Sequence, residues 1–308
     1  MKLKLRKKNM QPRIRSNPIV EIITINSGCL GSCAFCKTKA ARGNLASYSM
    51  EEIVKKARQA TSEGVKEIWL TSQDTACYGF DRKTNVAKLL AEICKIEKDF
   101  KIRLGMGNPD HFINITDEVI EAMKNEKVYK FLHIPLQSGS DEVLKSMRRG
   151  YTVKKYLKII SAFKSIFPQI TISTDVICGF PGETDEQFEE TVRIIKLTQP
   201  EIVNVSRYWA REKTLAAERK DQVSSSEIMR RSEKLSKIAR SISLNNNKKW
   251  IGWTGQIMIT EKGSEEGQWK GRNDYYKEIL LSGNFKLGQK VEVKIADATI
   301  NNLIAENL

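Results

Sequence analysis

The sequence predicts an α/β protein in which a partial barrel of six parallel strand-helix units is followed by a small antiparallel β-barrel. Two observations predict the first part. Short apolar runs alternate with helix-period segments six times, and the runs are apolar on both faces, which is typical of parallel strands buried between helices. A third observation predicts the second part. From Trp250 onward, apolar and polar residues alternate between Gly-containing turns without a helical period, as expected for an antiparallel barrel.

Each of the six predicted strands is short and is bounded by Gly, Pro, Ser or Asn. They are Ile19–Ile25, Val65–Thr71, Lys101–Met106, Tyr129–Ile134, Ile170–Ile177 and Ile202–Tyr208. Right-handed crossovers between such strands curl a parallel sheet into an open barrel. Ligands of these sheets bind at the carboxyl ends of the strands. We therefore expect the functional residues in the loops that follow the strands.

Capping patterns indicate where helices begin. Capping boxes are predicted for three pairs: Ser49 with Glu52, Thr184 with Gln187, and Ser224 with Glu227. Thr116 and Ser140 precede acidic first turns, which suit the positive end of a helix dipole. Ser224 opens the longest predicted helix, which is apolar on one face and rich in Lys and Arg elsewhere.

Pattern and charge divide the chain into a basic tail at 1–17, a (βα)6 domain with a basic C-terminal helix at 18–248, and the β-barrel at 249–308. The net charge is +15. A surface of this kind favours a polyanionic partner, because neutralising each phosphate of a nucleic acid releases counterions. A solvated basic surface that only aids solubility is the alternative.

Several observations concern the compartment. No apolar run approaches the roughly 18 residues that a membrane span requires, and the basic N-terminus is not followed by the apolar segment of a secretion signal. We expect a cytoplasmic protein without a membrane partner. Cysteines are kept reduced there, so the six cysteines are thiols or metal ligands. Cys77, Cys94 and Cys178 stand alone and are expected to be small buried groups.

Three cysteines follow the first strand with the spacing C-x3-C-x2-C: Cys29, Cys33 and Cys36. Gly28 and Gly31 in the same loop let the backbone curl, so that the sulfurs can turn toward one point. This arrangement predicts a metal centre. Three adjacent buried cysteines without a metal are the alternative.

Zinc does not suit this loop. A zinc site needs a fourth ligand, usually from a second CxxC or a histidine pair. The two histidines, His111 and His133, are isolated from each other and from any CxxC. Three thiolates fit a different cofactor.

The cysteine motif, with Phe35 directly before the last cysteine and a position after the first strand, resembles that of the radical S-adenosylmethionine (SAM) superfamily. The resemblance implies a [4Fe-4S] cluster held by Cys29, Cys33 and Cys36, whose open iron is chelated by SAM. It also implies an electron donor. An electron from the cluster then cleaves SAM to methionine and a 5′-deoxyadenosyl radical.

Further segments narrow the resemblance. They are GCLGSCAFCKTKAARGNLASY, EIWLTSQDT, HIPLQSGSDEVLKSMRRGYT and DVICGFPGETDEQF, and together they resemble the methylthiotransferases. The KTK..RG and TSQDT forms resemble the archaeal and eukaryotic branch that acts on N6-threonylcarbamoyladenosine in tRNA. The terminal GQWKGRNDYY segment resembles a TRAM domain, which holds RNA. The resemblance implies 2-methylthiolation of that nucleoside at position 37, next to the anticodon, with tRNA as the partner.

By position, the resemblance also implies contacts to SAM. Ser72, Gln73 and Asp74 would meet its amino group. Contacts to its carboxylate or ribose would come from Gln137, Ser138, Arg149 and Asp175. Asp74 could instead cap a helix, and Arg149 could be a surface charge. His133, on an apolar strand, is expected to be a core histidine more than a catalyst. Gly179, Pro181 and Gly182 are expected to shape a turn.

The chain departs from the family pattern in one respect. Complete methylthiotransferases carry an N-terminal domain with three further cysteines, which bind an auxiliary [4Fe-4S] cluster. Here we expect that domain and those ligands to be absent, so the chain is a fragment or a short form that obtains sulfur elsewhere. Three functions stay open: a tRNA methylthiotransferase, an enzyme that cleaves SAM but cannot complete sulfur transfer alone, and a noncatalytic RNA-binding protein.

Overall fold

A computed structural model describes residues 15–308 of the chain; residues 1–14 of the predicted basic tail lie outside the described part. The helices are α1 Thr38–Arg42, α2 Met50–Ser62, α3 Val86–Cys94, α4 Pro109–Phe112, α5 Thr116–Met123, α6 Asp141–Ser146, α7 Val153–Ile166, α8 Asp185–Thr198 and α9 Ser225–Lys248. The strands are β1 Val20–Thr24, β2 Asn26–Ser27, β3 Ala46–Ser47, β4 Glu67–Thr71, β5 Lys101–Leu104, β6 Phe131–His133, β7 Thr171–Cys178, β8 Ile202–Arg207, β9 Thr254–Lys262, β10 Gln268–Arg272, β11 Glu278–Ser282, β12 Lys290–Ala298 and β13 Leu303–Asn307.

Six parallel strands form the partial barrel, as predicted. β4 lies between β1 and β5, and β7 lies between β6 and β8. The two halves meet where the Tyr129 N–H donates to the carbonyl of Ile102 at 3.0 Å and Ile102 pairs with Val128. All six predicted strands are present, with ends within two residues of those expected.

The two faces of this sheet differ, which corrects the prediction that the strands are apolar on both. The outer face is buried: Ile68 and Leu70 of β4 are 0% exposed and belong to the core that the helices cover. The inner face carries half-buried side chains, among them Trp69, Arg103 and Asp175. A barrel that closes only in part leaves its inner face lining an opening, so polar side chains can keep contact with solvent or a ligand there.

The helix starts agree with the capping patterns in part. Both halves of the predicted capping boxes form at α2 and α8. At α9 the Ser224 side chain caps the helix, but Glu227 turns to arginine side chains instead. Thr116 is the first residue of α5 and donates its hydroxyl to the carbonyl of Phe112, so it does not cap the helix as the pattern suggested.

The last strands close into a five-stranded barrel in the order β10-β11-β13-β12-β9. Its pairs are antiparallel, as predicted, except that β11 and β13 run parallel. A separate apolar core, which includes Ile259, Ile279 and Ile295, fills it. Residues 15–308 contain no helix with the length and apolar character needed to cross a bilayer.

Tyr276 of the terminal barrel packs against the inner face of the parallel sheet, near the amino ends of its strands. Its ring lies 4.9 Å from the ring of Tyr129 and 4.9 Å from that of Phe131. Arg103 completes the contact, with its guanidinium 5.3 Å from the Tyr276 ring and 5.5 Å from Trp69. The terminal barrel therefore closes the end of the sheet opposite to the loops in which we expect the site.

Candidate functional site

The loop that carries the three cysteines lies between β2 and α1, at the carboxyl end of β1. Gly28 allows its first bend: φ is +75°, and a Cβ would lie 2.0 Å from the carbonyl oxygen of Asn44. Only glycine fits there. The N–H of Cys29 donates to Gly43 at 3.3 Å, and that of Ala34 donates to Met147 at 3.0 Å. The loop is thereby tied to two other segments of the mouth.

Two of the three sulfur atoms lie close to Gly31. A Cβ at Gly31 would lie 3.6 Å from Cys29 Sγ and 3.7 Å from Cys33 Sγ, so these two sulfurs flank one point. Cys36 Sγ accepts from the N–H of Thr38 at 3.3 Å. All three thiols are free and half-buried. Burial raises the pKa of Cys29, and the negative field of Asp74 and of the other two cysteines raises it further.

Soft sulfur donors gathered on one loop are the ligands that an iron-sulfur cluster prefers. Bound iron would also stabilise the thiolate of Cys29, which the protein alone disfavours. The residues present therefore fit a cluster, and Cys29, Cys33 and Cys36 would hold it.

Arg149 lies against the cysteine loop, so it is not a surface charge. Its Nη1 donates to Cys33 Sγ at 3.1 Å, and its Nη2 donates to Asn108 Oδ1 at 2.8 Å. The guanidinium also stacks over the ring of Tyr151 at 5.1 Å. Its remaining nitrogen, Nε, is buried without a hydrogen-bond partner among the described residues. A donor aimed at a ligand sulfur orients that ligand and stabilises its charge.

Asp74 is buried, and both of its carboxylate oxygens have partners within the protein. Oδ1 accepts from the N–H groups of Ala76 at 3.0 Å and Asn108 at 2.9 Å. Oδ2 contacts His111 Nδ1 at 2.6 Å. Asp74 does not cap a helix, because a turn follows it and not a helix; a contact between Asp74 and SAM stays a prediction. Cys77 Sγ lies within 4.8 Å of the ligand atoms of Asp74 and His111.

The contact with Asp74 also shifts the pKa of His111. Burial favours its neutral ring, but the hydrogen bond to Asp74 and the charge of that carboxylate outweigh burial and raise the pKa of His111.

Asp175 and Gln137 meet on the inner face of the sheet. Asp175 Oδ2 lies 3.0 Å from His133 Nε2, and Oδ1 accepts from Asn204 at 2.8 Å. Burial raises the pKa of Asp175, but the hydrogen bond and charge of His133 outweigh burial and lower it. Gln137 has φ of +66°, its N–H donates to the Asp175 carbonyl at 2.8 Å, and its buried Oε1 has no hydrogen-bond partner among the described residues.

The remaining predicted contacts lie elsewhere. Ser138 is fully buried and its hydroxyl lies 3.4 Å from that of Thr191, so it faces α8 in the helix layer. Ser72 accepts from the N–H of Asp74 at 3.1 Å, and Gln73 beside it is half-buried. The structure thus brings Arg149 and Asp74 together with the cysteine loop through Asn108. The roles of all seven residues toward SAM stay predictions.

Sequence reasoning missed three members of this site. Asn108 links Arg149 to Asp74, His111 pairs with Asp74, and Asn204 binds Asp175. Asn108 and His111 stand in GMGNPDH, the segment that follows β5. Their position after a parallel strand was the available signal.

The chain matches known proteins along most of its length. A family model described as the Radical SAM superfamily matches residues 23–195. The chain is 43% identical, over 97% of its length, to the probable threonylcarbamoyladenosine tRNA methylthiotransferase of Archaeoglobus fulgidus, of which it covers 69%. It is 41% identical, over 93% of its length, to the threonylcarbamoyladenosine tRNA methylthiotransferase of Homo sapiens, of which it covers 49%.

Solved structures share its fold. Coproporphyrinogen III oxidase from Escherichia coli, described as a radical SAM enzyme, aligns with a TM-score of 0.54 and 13% identity, covering 94% of this chain and 72% of that one. The radical SAM methyltransferase TsrM from Kitasatospora setae aligns with a TM-score of 0.54 and 14% identity, covering 64% of this chain and 38% of that one. At these identities the likeness concerns the fold alone.

Proposed function

Because the chain belongs to the radical SAM superfamily, and within it to the threonylcarbamoyladenosine tRNA methylthiotransferases, we propose that it converts N6-threonylcarbamoyladenosine at position 37 of tRNA to the 2-methylthio derivative in the cytoplasm. The observation that carries the proposal is identity of 43% across 97% of the chain. Three cysteines on one loop at the carboxyl end of a parallel sheet support it.

In this proposal Cys29, Cys33 and Cys36 bind the [4Fe-4S] cluster. When bound, the cluster supplies the electron, received from a donor protein, that cleaves SAM. Arg149 holds the Cys33 side chain through its hydrogen bond to Sγ. Arg149 is itself held by Asn108, whose N–H is bound by Asp74. Arg149, Asn108 and Asp74 thus hold the Cys33 side chain in place through successive hydrogen bonds.

A second candidate function depends on where the sulfur that is inserted into the nucleoside comes from. Cys77, Cys94 and Cys178 lie on different elements, after β4, in α3 and at the end of β7. Burial raises the pKa of each, to about 11 for Cys94 and about 12 for Cys178, so these thiols stay protonated at neutral pH. Since they do not form a second ligand set, we propose that an auxiliary cluster or other sulfur donor outside residues 15–308 completes the reaction. The second candidate is SAM cleavage without sulfur transfer.

Reconstitution distinguishes these functions. The chain is reconstituted anaerobically with iron and sulfide and given SAM, a reductant and tRNA that carries the threonylcarbamoyl group. Mass spectrometry of the nucleosides then detects the 2-methylthio product, and chromatography detects 5′-deoxyadenosine. With excess sulfide kept in the reaction as the external sulfur donor, we expect both products from the wild type, neither from C29A, C33A or C36A, and both from the control C94A.

Each other outcome has a defined meaning. Deoxyadenosine without a modified nucleoside would select the second candidate. A colourless protein that binds tRNA and cleaves no SAM would contradict both and select the noncatalytic RNA-binding protein.

A further inference from the structure

The segment 209–215, which follows β8, is fastened at both ends to the cysteine loop. At its start, the Tyr208 ring packs 5.8 Å from Phe180, whose ring lies 6.4 Å from Phe35, the neighbour of Cys36. At its end, the N–H of Ala216 donates to the carbonyl of Ala34 at 3.0 Å. Residues 209–215 therefore form a short arch beside the three cysteines.

Trp209 stands on this arch and is 81% exposed, more than any other large apolar side chain of the described part. Its indole ring makes no hydrogen bond or ring contact with another described residue. Further along the arch a turn forms, in which Thr214 donates from both its N–H and its hydroxyl to the carbonyl of Arg211. Tryptophan is enriched at interfaces, because it offers a large apolar ring together with a polar N–H group.

The charges around Trp209 fit a polyanion. Arg207 precedes it, is half-exposed in its side chain and pairs with Glu233, and Arg211 and Lys213 follow it on the surface. Glu212 is the acidic side chain of the same stretch. The guanidinium of Arg211 and the ammonium of Lys213 have no ion-pair partner in the part of the chain that the structure describes, so both are available to phosphate groups.

We propose that Trp209 is a stacking platform for an unpaired base of the RNA substrate, adjacent to the target nucleoside, and that Arg211 and Lys213 contact the flanking phosphates. Proteins recognise single-stranded RNA loops by stacking splayed bases on aromatic rings. The arch places such a ring beside the cysteine loop, where a nucleoside that enters the barrel mouth leaves its neighbours outside. This inference rests on the proposed function, because it takes RNA as the substrate.

Binding of a labelled anticodon stem-loop RNA to the reconstituted full chain tests the proposal. The comparison RNA is the same stem closed without an unpaired loop. We expect W209A to weaken binding of the stem-loop about tenfold, W209F to bind within about threefold of the wild type, and neither to change binding of the comparison RNA. The matched control is L197A, because Leu197 is also an exposed apolar residue (68%) but lies on α8.

Salt dependence supplies a second measurement. R211Q and K213Q are each expected to make the slope of log affinity for the stem-loop against log salt concentration less negative by about one. Thermal melting checks that each variant is folded.

The outcomes separate the inference from the proposed function. Wild-type affinity of W209A for the stem-loop would overturn the inference alone, as would an equal loss for both RNAs. A wild-type chain that binds neither RNA would contradict the proposed function as well. If W209A no longer binds a protein partner of the chain but keeps wild-type affinity for RNA, the arch is a protein docking site, and this outcome also overturns the inference.

Discussion

At the scale of single residues, the site depends on pairs that are distant in sequence. Asp74 and His111 are 37 positions apart, and Arg149 and Cys33 are 116 apart. The sequence predicted the cysteines, because their spacing is local, and it placed Arg149 near the site. It could not predict that Arg149 faces a sulfur or that His111 binds Asp74, because only the fold brings these side chains together.

The Asp74–His111 pair predicts a pH-dependent stability. The pKa of His111 is raised on folding, so the stability that the pair contributes is complete below the unfolded pKa of about 6.5 and is lost as pH rises through the folded pKa. We expect H111Q to lower the free energy of unfolding by about 1.5–3 kcal/mol near pH 6 and by less at alkaline pH. Urea unfolding of the metal-free protein at both pH values measures this.

Two controls accompany that measurement. D110N changes the neighbouring carboxylate, which has no hydrogen bond to His111, and should have a smaller effect. In the background of D74N, the H111Q change should lower the free energy of unfolding by the same amount at both pH values, as the double variant D74N/H111Q would show. An H111Q effect of equal size at both pH values would show that the charged pair is not formed.

At the scale of elements, local patterns predicted the strands and part of the helix starts, since alternation and caps depend on nearby residues. The long helix α9 shows where such patterns fail. The sequence pattern places its arginines off the apolar face, but Arg231 is 4% exposed. It donates to Glu183 at 2.9 Å and to Glu227 at 2.6 Å. Burial raises the pKa of Glu183, and the N–H of Gly179 and the Arg231 guanidinium oppose that rise.

Arg231 should therefore matter far more to stability than its neighbour. Loss of one partner from a buried ion pair leaves an uncompensated charge, so R231M is expected to lower the free energy of unfolding by about 3–5 kcal/mol. R230M is the matched control: Arg230 binds Asp185 and Glu227 too, but its side chain is 50% exposed, and such pairs contribute about 0–1 kcal/mol. Chemical denaturation compares them. Similar losses of unfolding free energy for R231M and R230M would contradict the conclusion that Arg231 forms a buried ion pair.

At the scale of the whole molecule, the sequence predicted two modules but not their contact. Alternation with Gly-rich turns is visible in the last sixty or so residues, whereas nothing in the DYYKE segment indicates that Tyr276 packs into the parallel sheet. Its backbone has φ of +59°, a conformation that a bulky residue adopts only where the surroundings impose it. The contact of Tyr276 with the parallel sheet forms only when both modules are folded, so local sequence patterns do not predict it.

Tyr276 should couple the unfolding of the two modules. Y276A removes a ring that packs on Tyr129, Phe131 and two arginines, and we expect a loss of about 3 kcal/mol together with two calorimetric transitions in place of one. Y276F retains the ring and should behave as the wild type. A single transition at the wild-type temperature for Y276A would show that the modules are coupled elsewhere.

The position of Tyr276 also bears on the order in which the small molecule and the RNA bind and leave. With one end of the sheet closed by this ring, a small molecule travelling to the cysteines passes through the end that a bulky RNA later covers. We therefore expect ordered binding, in which the small molecule binds before the RNA and its fragments leave only after the RNA has dissociated. Turnover would then be governed by how quickly the large substrate is released, and inhibition by excess RNA becomes the kinetic signature of the architecture.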